Sequence, residues 1–177
     1  MDRDPPGGRR SAQVVTFDPR PICRALNAAH VRYVVIGGFA SVIHGSPLPT
    51  ADIDIVPGRD PDNLDRLGAA LRGINAKLRT AAGAVQAPID GPFLATMPFM
   101  LNLTTDFGDM DLTFEPAGPR TDHEAWNRDA IDVPIADDLI VRVASLGAVI
   151  DSKRAAGRPK DQAALPYLES LLDQLEE

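Results

Sequence analysis

The sequence has very little cysteine, few aromatic residues and no long apolar run. Cys23 is the single cysteine among 177 residues, which excludes an intramolecular disulfide and a cysteine-rich zinc site and fits a reducing compartment. No apolar stretch approaches the roughly 18 residues of a membrane-spanning helix, and no apolar segment follows the first charged residues as in a secretory signal. We therefore expect a cytoplasmic protein without a membrane partner.

Positive charge is also scarce, because 18 lysines and arginines stand against 25 aspartates and glutamates, for a net charge of −7. This balance argues against a basic surface that binds nucleic acid along its whole length, so any contact with RNA must be local. The acids are 20 aspartates and only 5 glutamates. Aspartate caps helices, forms turns and binds metal ions, so any of these three roles could account for the excess of aspartate.

The hydrophobic pattern predicts one folded domain over residues 17–177, preceded by a disordered arm over residues 1–16 that is rich in Pro, Gly and Arg. The last part of this domain, from about residue 145 to residue 177, is predicted to form C-terminal helices. Predicted helices cover 19–30, 39–44, a segment opening at Asp60-Pro61, 145–156 and a final leucine-rich stretch. Predicted strands cover 31–36, 53–56, 76–79 at a sheet edge, 99–104, 110–114, 131–135 and 140–143.

Helices and strands interleave, but several strands are joined by hairpins, with turns expected at 106–109 and at Asp137-Asp138. The predicted fold class is therefore α/β (α+β), with a mixed β-sheet that is mostly antiparallel at its edges and is flanked by helices.

A double glycine separates the first strand from a short helix. Gly37 and Gly38 let the backbone approach a bulky anion, and the helix N-terminus that follows offers free N–H groups to phosphate. Taken alone, such a pair is more often a plain turn at the end of a strand. Its place shortly before the next motif favours a phosphate site.

The next motif is an acid pair on a strand. Alternation places Asp52 and Asp54 on one face and Ile53 and Ile55 in the core. Two carboxylates directed at one spot repel each other unless a cation neutralises them, and magnesium with substrate phosphates is the natural choice. A third acid is expected from a neighbouring strand. Asp111, between apolar neighbours, ranks above Asp109, which shares its parity.

These motifs resemble the nucleotidyltransferase superfamily, with its double-glycine turn, short helix, Asp-x-Asp strand and later lone acid. More narrowly, residues 34–40, His44-Gly45, residues 50–54 and the segment 153–161 resemble the AbiEii-type branch, which includes the MenT-type toxins of toxin–antitoxin pairs. Relatives often carry an arginine shortly before the Thr-x-Asp-x-Asp element. This chain has Leu48-Pro49 there instead.

The resemblance implies a role for each matching residue. Gly37 and Gly38 would contact the triphosphate, while Asp52, Asp54 and Asp111 would bind Mg²⁺ as catalytic residues. Asp111 would also draw the proton from the attacking hydroxyl. Lys153 would hold the triphosphate as a further catalytic residue.

The segment around Lys153 supplies the remaining predicted nucleotide-binding residues. Four of the 18 basic residues, Lys153, Arg154, Arg158 and Lys160, fall within eight positions, and an acidic protein that binds phosphates would concentrate its positive charge in this way. Arg158 is therefore predicted at the nucleotide, and Asp161 would orient Lys153 or a second polar group there. The alternative is a solvated helix end beside an ordinary helix start.

The function implied is metal-dependent transfer of a nucleoside monophosphate from an NTP to an acceptor hydroxyl, with release of pyrophosphate. The acceptor would be RNA, namely a tRNA 3′ end, and the protein would be a toxin with a cognate antitoxin as partner. Two alternatives stay open: nucleotidylylation of a protein or a small molecule, and a catalytically silent protein of this fold that binds a partner or acts as an antitoxin.

Overall fold

The computed structural model describes residues 16–177, so the arm predicted for residues 1–16 lies outside the described residues except for Thr16. Over this range the chain forms eight strands and seven helices. The strands are β1 (Tyr33–Ile36), β2 (Asp52–Pro57), β3 (Lys77–Thr80), β4 (Gly83–Val85), β5 (Met100–Thr105), β6 (Gly108–Thr113), β7 (Ile131–Ala136) and β8 (Leu139–Val143). The helices are α1 (Pro19–Ala28), α2 (Gly37–Ile43), α3 (Pro61–Gly73), α4 (Gly91–Ala95), α5 (His123–Asn127), α6 (Leu146–Ala156) and α7 (Pro159–Glu176).

Short polar side chains fix where most helices begin. Each accepts a hydrogen bond from a backbone N–H of the first turn, which would otherwise lack a partner. The side chains that cap α1, α3, α4, α5 and α6 in this way belong to Asp18, Asp60, Asp90, Asp122 and Ser145. Helix capping therefore accounts for part of the aspartate excess. Gly157 ends α6 in the left-handed conformation, with φ at 61°, which glycine adopts without strain.

All eight strands belong to one sheet in the order β4-β3-β5-β6-β2-β1-β8-β7. β1 runs parallel to β8 and β2 runs parallel to β6, whereas the other neighbouring pairs are antiparallel. Both edges are thus antiparallel pairs, which confirms the predicted mixed sheet. The central strand β1 is buried along its whole length.

The helices form two groups around the sheet. α1 contacts α3 and β8, and α3 packs against α4; α2 contacts β2 and α6, and α6 packs against α7. The second group borders the strand ends where the predicted site residues lie. No helix within residues 16–177 has the length and apolarity needed to cross a membrane.

Three details differ from the sequence prediction. Segment 76–79, expected at a sheet edge, forms the internal strand β3, because the three-residue strand β4 pairs along its outer side. β4 and the five-residue helices α4 and α5 were not predicted, since such short elements show too little periodicity to be recognised. Helix α2 begins at Gly37 rather than at Phe39.

A buried asparagine ties the start of α3 to the ends of two strands. Asn63 is fully buried, and its Nδ2 donates to the carbonyl oxygens of Gly58 at 2.8 Å and Arg32 at 3.0 Å. Its Oδ1 accepts from the backbone N–H of Arg32 at 2.7 Å. The side chain satisfies backbone groups that α3 would otherwise cover without partners.

Replacing this asparagine tests the fold directly. Asn63→Ala is expected to lower the free energy of unfolding by about 2–4 kcal/mol, because three backbone hydrogen bonds are lost and their groups stay buried. Asp62→Ala, an exposed acid in the same turn, should cost less than about 1 kcal/mol. Urea unfolding of both variants compares the two. Equal losses would contradict the assigned role of Asn63.

Candidate active site

Three polar side chains form a row across the middle of the sheet, and this polar row begins beside Ile36 on β1. The register pairs Ile36 with Asp54, Asp54 with Asp111, and Asp111 with Asn102. Directly paired residues share a face of the sheet, so the two acids lie side by side on neighbouring parallel strands. One step toward the strand ends, Asp52 pairs with Asp109. The structure therefore brings together the four acids that the sequence placed on two strands, Asp52, Asp54, Asp109 and Asp111.

Asp54 has the least favourable environment of these acids. Its carboxylate receives no hydrogen bond from any residue in the range 16–177, although the backbone around it is well buried. Burial, followed by the charges of Asp52 and Asp111, raises the pKa of Asp54 to about 7, against a smaller lowering by Lys160 and Arg158. Neither Asp54 nor Asp52 forms an ion pair with a residue in this range, so no direct contact neutralises the charge of this pair.

The double glycine lies against this acid. Gly37 has φ at 67°, and a Cβ at this position would collide with Oδ2 of Asp54. A Cβ at Gly38 would lie 2.8 Å from Oγ1 of Thr50, closer than a Cβ normally lies to any non-bonded heavy atom. Both positions therefore require glycine, one for its backbone conformation and both for space. The turn that opens α2 sits directly over the acid face.

Cations reach the same place from α6 and α7. Asp161 is fully buried, and its carboxylate accepts from Nε of Arg158 at 2.6 Å and from Nζ of Lys153 at 3.4 Å. Burial acts to raise the pKa of Asp161, but the hydrogen bond and charge of Arg158, together with Lys153, hold it below its usual range. Asp161 thus pairs with both cations and orients their side chains.

A cleft runs between the acids and these cations. It has two adjoining cavities, of about 450 Å³ and about 290 Å³, that share Gly37, Asp54, Met100, Lys153, Arg158 and Asp161. The larger cavity also reaches Gly38, Asp52, Asp111 and Lys160, and is the more polar in character. The smaller cavity continues toward Ile36, Val149 and Ala156 and is more apolar. All of the predicted site residues line one or both cavities.

The acids have the chemistry of a divalent-cation site but not a closed ligand set. Among residues 16–177, no three His, Cys, Asp or Glu side chains are arranged to hold a metal ion together. Asp52 and Asp54 nonetheless offer hard carboxylate oxygens on one face, and the raised pKa of Asp54 is the electrostatic cost that a cation would relieve. The pair fits Mg²⁺, while Asp111 is engaged elsewhere.

Asp111 is engaged by a residue that the sequence did not single out. Arg79 on β3 places Nη2 2.5 Å from Oδ1 of Asp111 and Nη1 3.3 Å from Oδ2 of Asp109. The side chain crosses from β3 over the intervening β5. Sequence alone gives no signal for this contact, because it depends on strand order. Thr50 was also missed as a site residue; its Oγ1 donates to the backbone carbonyl of Asp52 at 3.1 Å.

Comparison with known proteins identifies solved structures that have a similar fold. No protein-family model matches the chain, and no curated protein matches its sequence. The lincosamide antibiotic adenylyltransferase LnuA, with lincomycin bound, is similar with a TM-score of 0.59 and 15% identity over 88% of this chain and 99% of that one. ANT(2″)-Ia, in complex with adenylyl-2″-tobramycin, has a TM-score of 0.57 and 14% identity over 86% of each chain.

A third similar structure is an antigenic nucleotidyltransferase-like protein from Paracoccidioides brasiliensis, with a TM-score of 0.50 and 16% identity over 90% of this chain and 78% of that one. At these identities the likeness concerns the fold. The chain has the nucleotidyltransferase fold, as its motifs predicted.

The charge on Asp54 gives a stability prediction. A folded-state pKa near 7, above the ordinary aspartate value, means that the metal-free fold loses stability as pH rises from about 4 to about 7. Asp54→Asn removes that charge, so it should raise the free energy of unfolding at about pH 8 in chelator by about 2 kcal/mol, and the gain should shrink toward about pH 5.

Thermal and urea unfolding at both pH values measure this effect. Asp137→Asn removes the same charge from the exposed β7–β8 turn and should leave stability nearly unchanged. A destabilised Asp54→Asn at the higher pH would contradict the assigned environment of this carboxylate.

Proposed function

We propose that this protein is a metal-dependent nucleotidyltransferase, which transfers a nucleoside monophosphate from an NTP to an acceptor hydroxyl. The observation that carries the proposal is the half-buried pair Asp52 and Asp54, which forms no ion pair among residues 16–177 and faces the Gly37 turn across a cleft from Lys153 and Arg158. Such a site offers a negative centre for a cation and positive groups for a triphosphate. Few chemistries other than phosphoryl or nucleotidyl transfer use both.

In the proposed reaction the acceptor oxygen attacks the α-phosphorus of the NTP. A bond forms between that oxygen and phosphorus, the bond from phosphorus to the bridging α–β oxygen breaks, and pyrophosphate leaves with its electron pair. Bound Mg²⁺ would neutralise charge that develops on the phosphate oxygens. Asp52, Asp54 and Asp111 would hold it, and Asp111 would also accept the hydroxyl proton.

The two ends of the polar row suggest separate places for the leaving group and the acceptor. Gly37, Gly38, Lys153 and Arg158 lie toward β1, α6 and α7, where they would hold the triphosphate. In-line attack requires the acceptor to approach from the opposite side, which is the flank formed by β5 and β3.

This flank has the features of a surface for a nucleic-acid end. Met100, at the start of β5, is 47% exposed and lines the larger cavity together with the exposed Asn102. The thioether of Met100 offers a polarisable apolar surface for a base, and the amide of Asn102 offers hydrogen bonds. We propose an RNA 3′ end as acceptor, namely that of tRNA, and a toxin role with a cognate antitoxin, on the support of the AbiEii-type and MenT-type motifs.

A small-molecule acceptor is the second candidate. It is favoured by the two structural neighbours LnuA and ANT(2″)-Ia, whose complexes contain lincomycin and adenylylated tobramycin. An antibiotic hydroxyl would enter by the same flank and meet the same acids. The two candidates differ only in what is recognised beyond the hydroxyl.

Labelling with each of the four α-³²P-NTPs tests the reaction and the acceptor together. With Mg²⁺, label is expected in the RNA fraction of a total-RNA reaction, and it should disappear with chelator and in Asp52→Asn and Asp54→Asn, which keep the fold. Label transferred instead to total protein or to added lincosamides and aminoglycosides would establish the alternative acceptor. Retained transfer in both variants would contradict the metal assignment, and no transfer to any acceptor would favour a silent binding protein.

Lys153 provides a separate test of triphosphate binding. Lys153→Gln should raise the KM for the NTP by about 10- to 100-fold, because an oriented cation next to the phosphates is lost. Arg154→Gln is the matched control, since Arg154 is exposed and pairs with Glu169 rather than with Asp161. Steady-state kinetics at varied NTP concentration give both values, and equal effects in the two variants would contradict the assignment of Lys153.

A further inference from the structure

Arg79 is the cation nearest to the third acid. Its two terminal nitrogens divide between two carboxylates, with Nη2 at 2.5 Å from Asp111 and Nη1 at 3.3 Å from Asp109. The Asp111 side chain is only 11% exposed, whereas Arg79 and Asp109 are each 35% exposed, so the Asp111 side of the contact is the shielded one. The guanidinium holds its nitrogens in one rigid plane, so a contact with two carboxylates at once is geometrically specific.

The third nitrogen of the same guanidinium has no partner. Nε of Arg79 is buried, and among residues 16–177 it is the one buried side-chain nitrogen or oxygen without a hydrogen bond. A buried N–H without an acceptor is unfavourable. Arg79 therefore keeps this position at the expense of one hydrogen bond, and the attraction of the two carboxylates is what offsets that loss.

The same contact explains why the acids do not form a closed ligand set. Asp111 lies next to Asp54 in register, as a third ligand would, yet its Oδ1 is occupied by Nη2 of Arg79. A divalent cation that recruits Asp111 must displace the guanidinium from this oxygen. Asp52 and Asp54 meet no such obstacle, since neither is paired with a cation in the described part of the chain.

We propose that Arg79 is a built-in counter-cation that competes with the divalent metal for Asp111. In the metal-free protein Arg79 neutralises Asp111, so that of the site acids only Asp52 and Asp54 are unpaired within residues 16–177. When metal is bound, Asp111 is released to it, and the guanidinium retains only Asp109. This inference rests on the proposed function, since it presumes a metal at Asp52 and Asp54, and it identifies Arg79 as a positioning residue.

Manganese titration tests this competition without any substrate. Mn²⁺ replaces Mg²⁺ at carboxylate sites, and its free concentration is read from the electron paramagnetic resonance signal. Arg79→Gln is expected to bind Mn²⁺ about 10-fold more tightly than the wild-type chain, because the competitor is gone. Its metal-free melting temperature should fall, and the rise in melting temperature on Mn²⁺ addition should exceed that of the wild type.

Two control variants separate competition from a general change of charge. Lys77→Gln removes a cation from the same face of β3, where Lys77 forms no ion pair with a site acid. Arg79→Lys keeps the charge but loses the forked contact. Competition predicts wild-type affinity in Lys77→Gln and affinity in Arg79→Lys between those of the wild type and Arg79→Gln.

The outcomes also distinguish failure of this inference from failure of the proposed function. Unchanged or weaker Mn²⁺ binding in Arg79→Gln, or an equal gain in Lys77→Gln, would overturn the role of Arg79 while leaving the metal site intact. If neither the wild type nor Arg79→Gln binds Mn²⁺, the metal site fails, and the inference fails with it. Binding by Arg79→Gln alone would support competition in its strongest form.

Discussion

The repulsion among carboxylates on one face of the central sheet is the constraint on which the site depends. Parallel pairing of β2 and β6 places Asp54 beside Asp111 and Asp52 beside Asp109, and hydrophobic residues between them anchor both strands in the core. Strand register therefore fixes the acids where they cannot move apart. Burial and mutual repulsion raise the pKa of Asp54 to about 7, so the fold carries a cost that a cation would relieve.

The remaining charges of the site are arranged in response to this constraint. Lys153 and Arg158 face the acids across the cleft, and both pair with the fully buried Asp161 rather than with Asp54. On the other flank, Arg79 engages Asp111 and Asp109. The site thus has cations on both sides of an acid pair that is itself free. A bound metal ion would supply the positive charge that the acid pair lacks, and the triphosphate of an NTP would supply negative charge for Lys153 and Arg158.

Most of the architecture could be predicted from local pattern. The helix expected to open at Asp60-Pro61 begins there, with Asp60 as its cap, and the expected hairpin at Asp137-Asp138 joins β7 and β8. These features depend on a few neighbouring residues, so the sequence contains the signal. The position of segment 76–79 inside the sheet was missed, because it depends on pairing with the very short β4.

The same distinction applies to the site. Gly37, Asp52 and Asp54 could be recognised from their spacing and from a known motif, because one turn and one strand supply them. Arg79 could not, since its role arises only when β3 lies two strands from β6 in the folded sheet. The pairing of Asp161 with Lys153 and Arg158 could be predicted only in part from the sequence. Charge clustering indicated a site, but full burial of the acid depends on the packing of α6 against α7.

Calorimetric binding of an NTP analogue with a methylene group between the α- and β-phosphorus atoms tests the central claim most directly. The account predicts that Mg²⁺ tightens binding of this analogue by about 10-fold or more in the wild type, because cation and triphosphate meet at Asp52 and Asp54. The enhancement should vanish in Asp54→Asn. Binding of equal strength with and without Mg²⁺, or an enhancement that survives in that variant, would contradict the account.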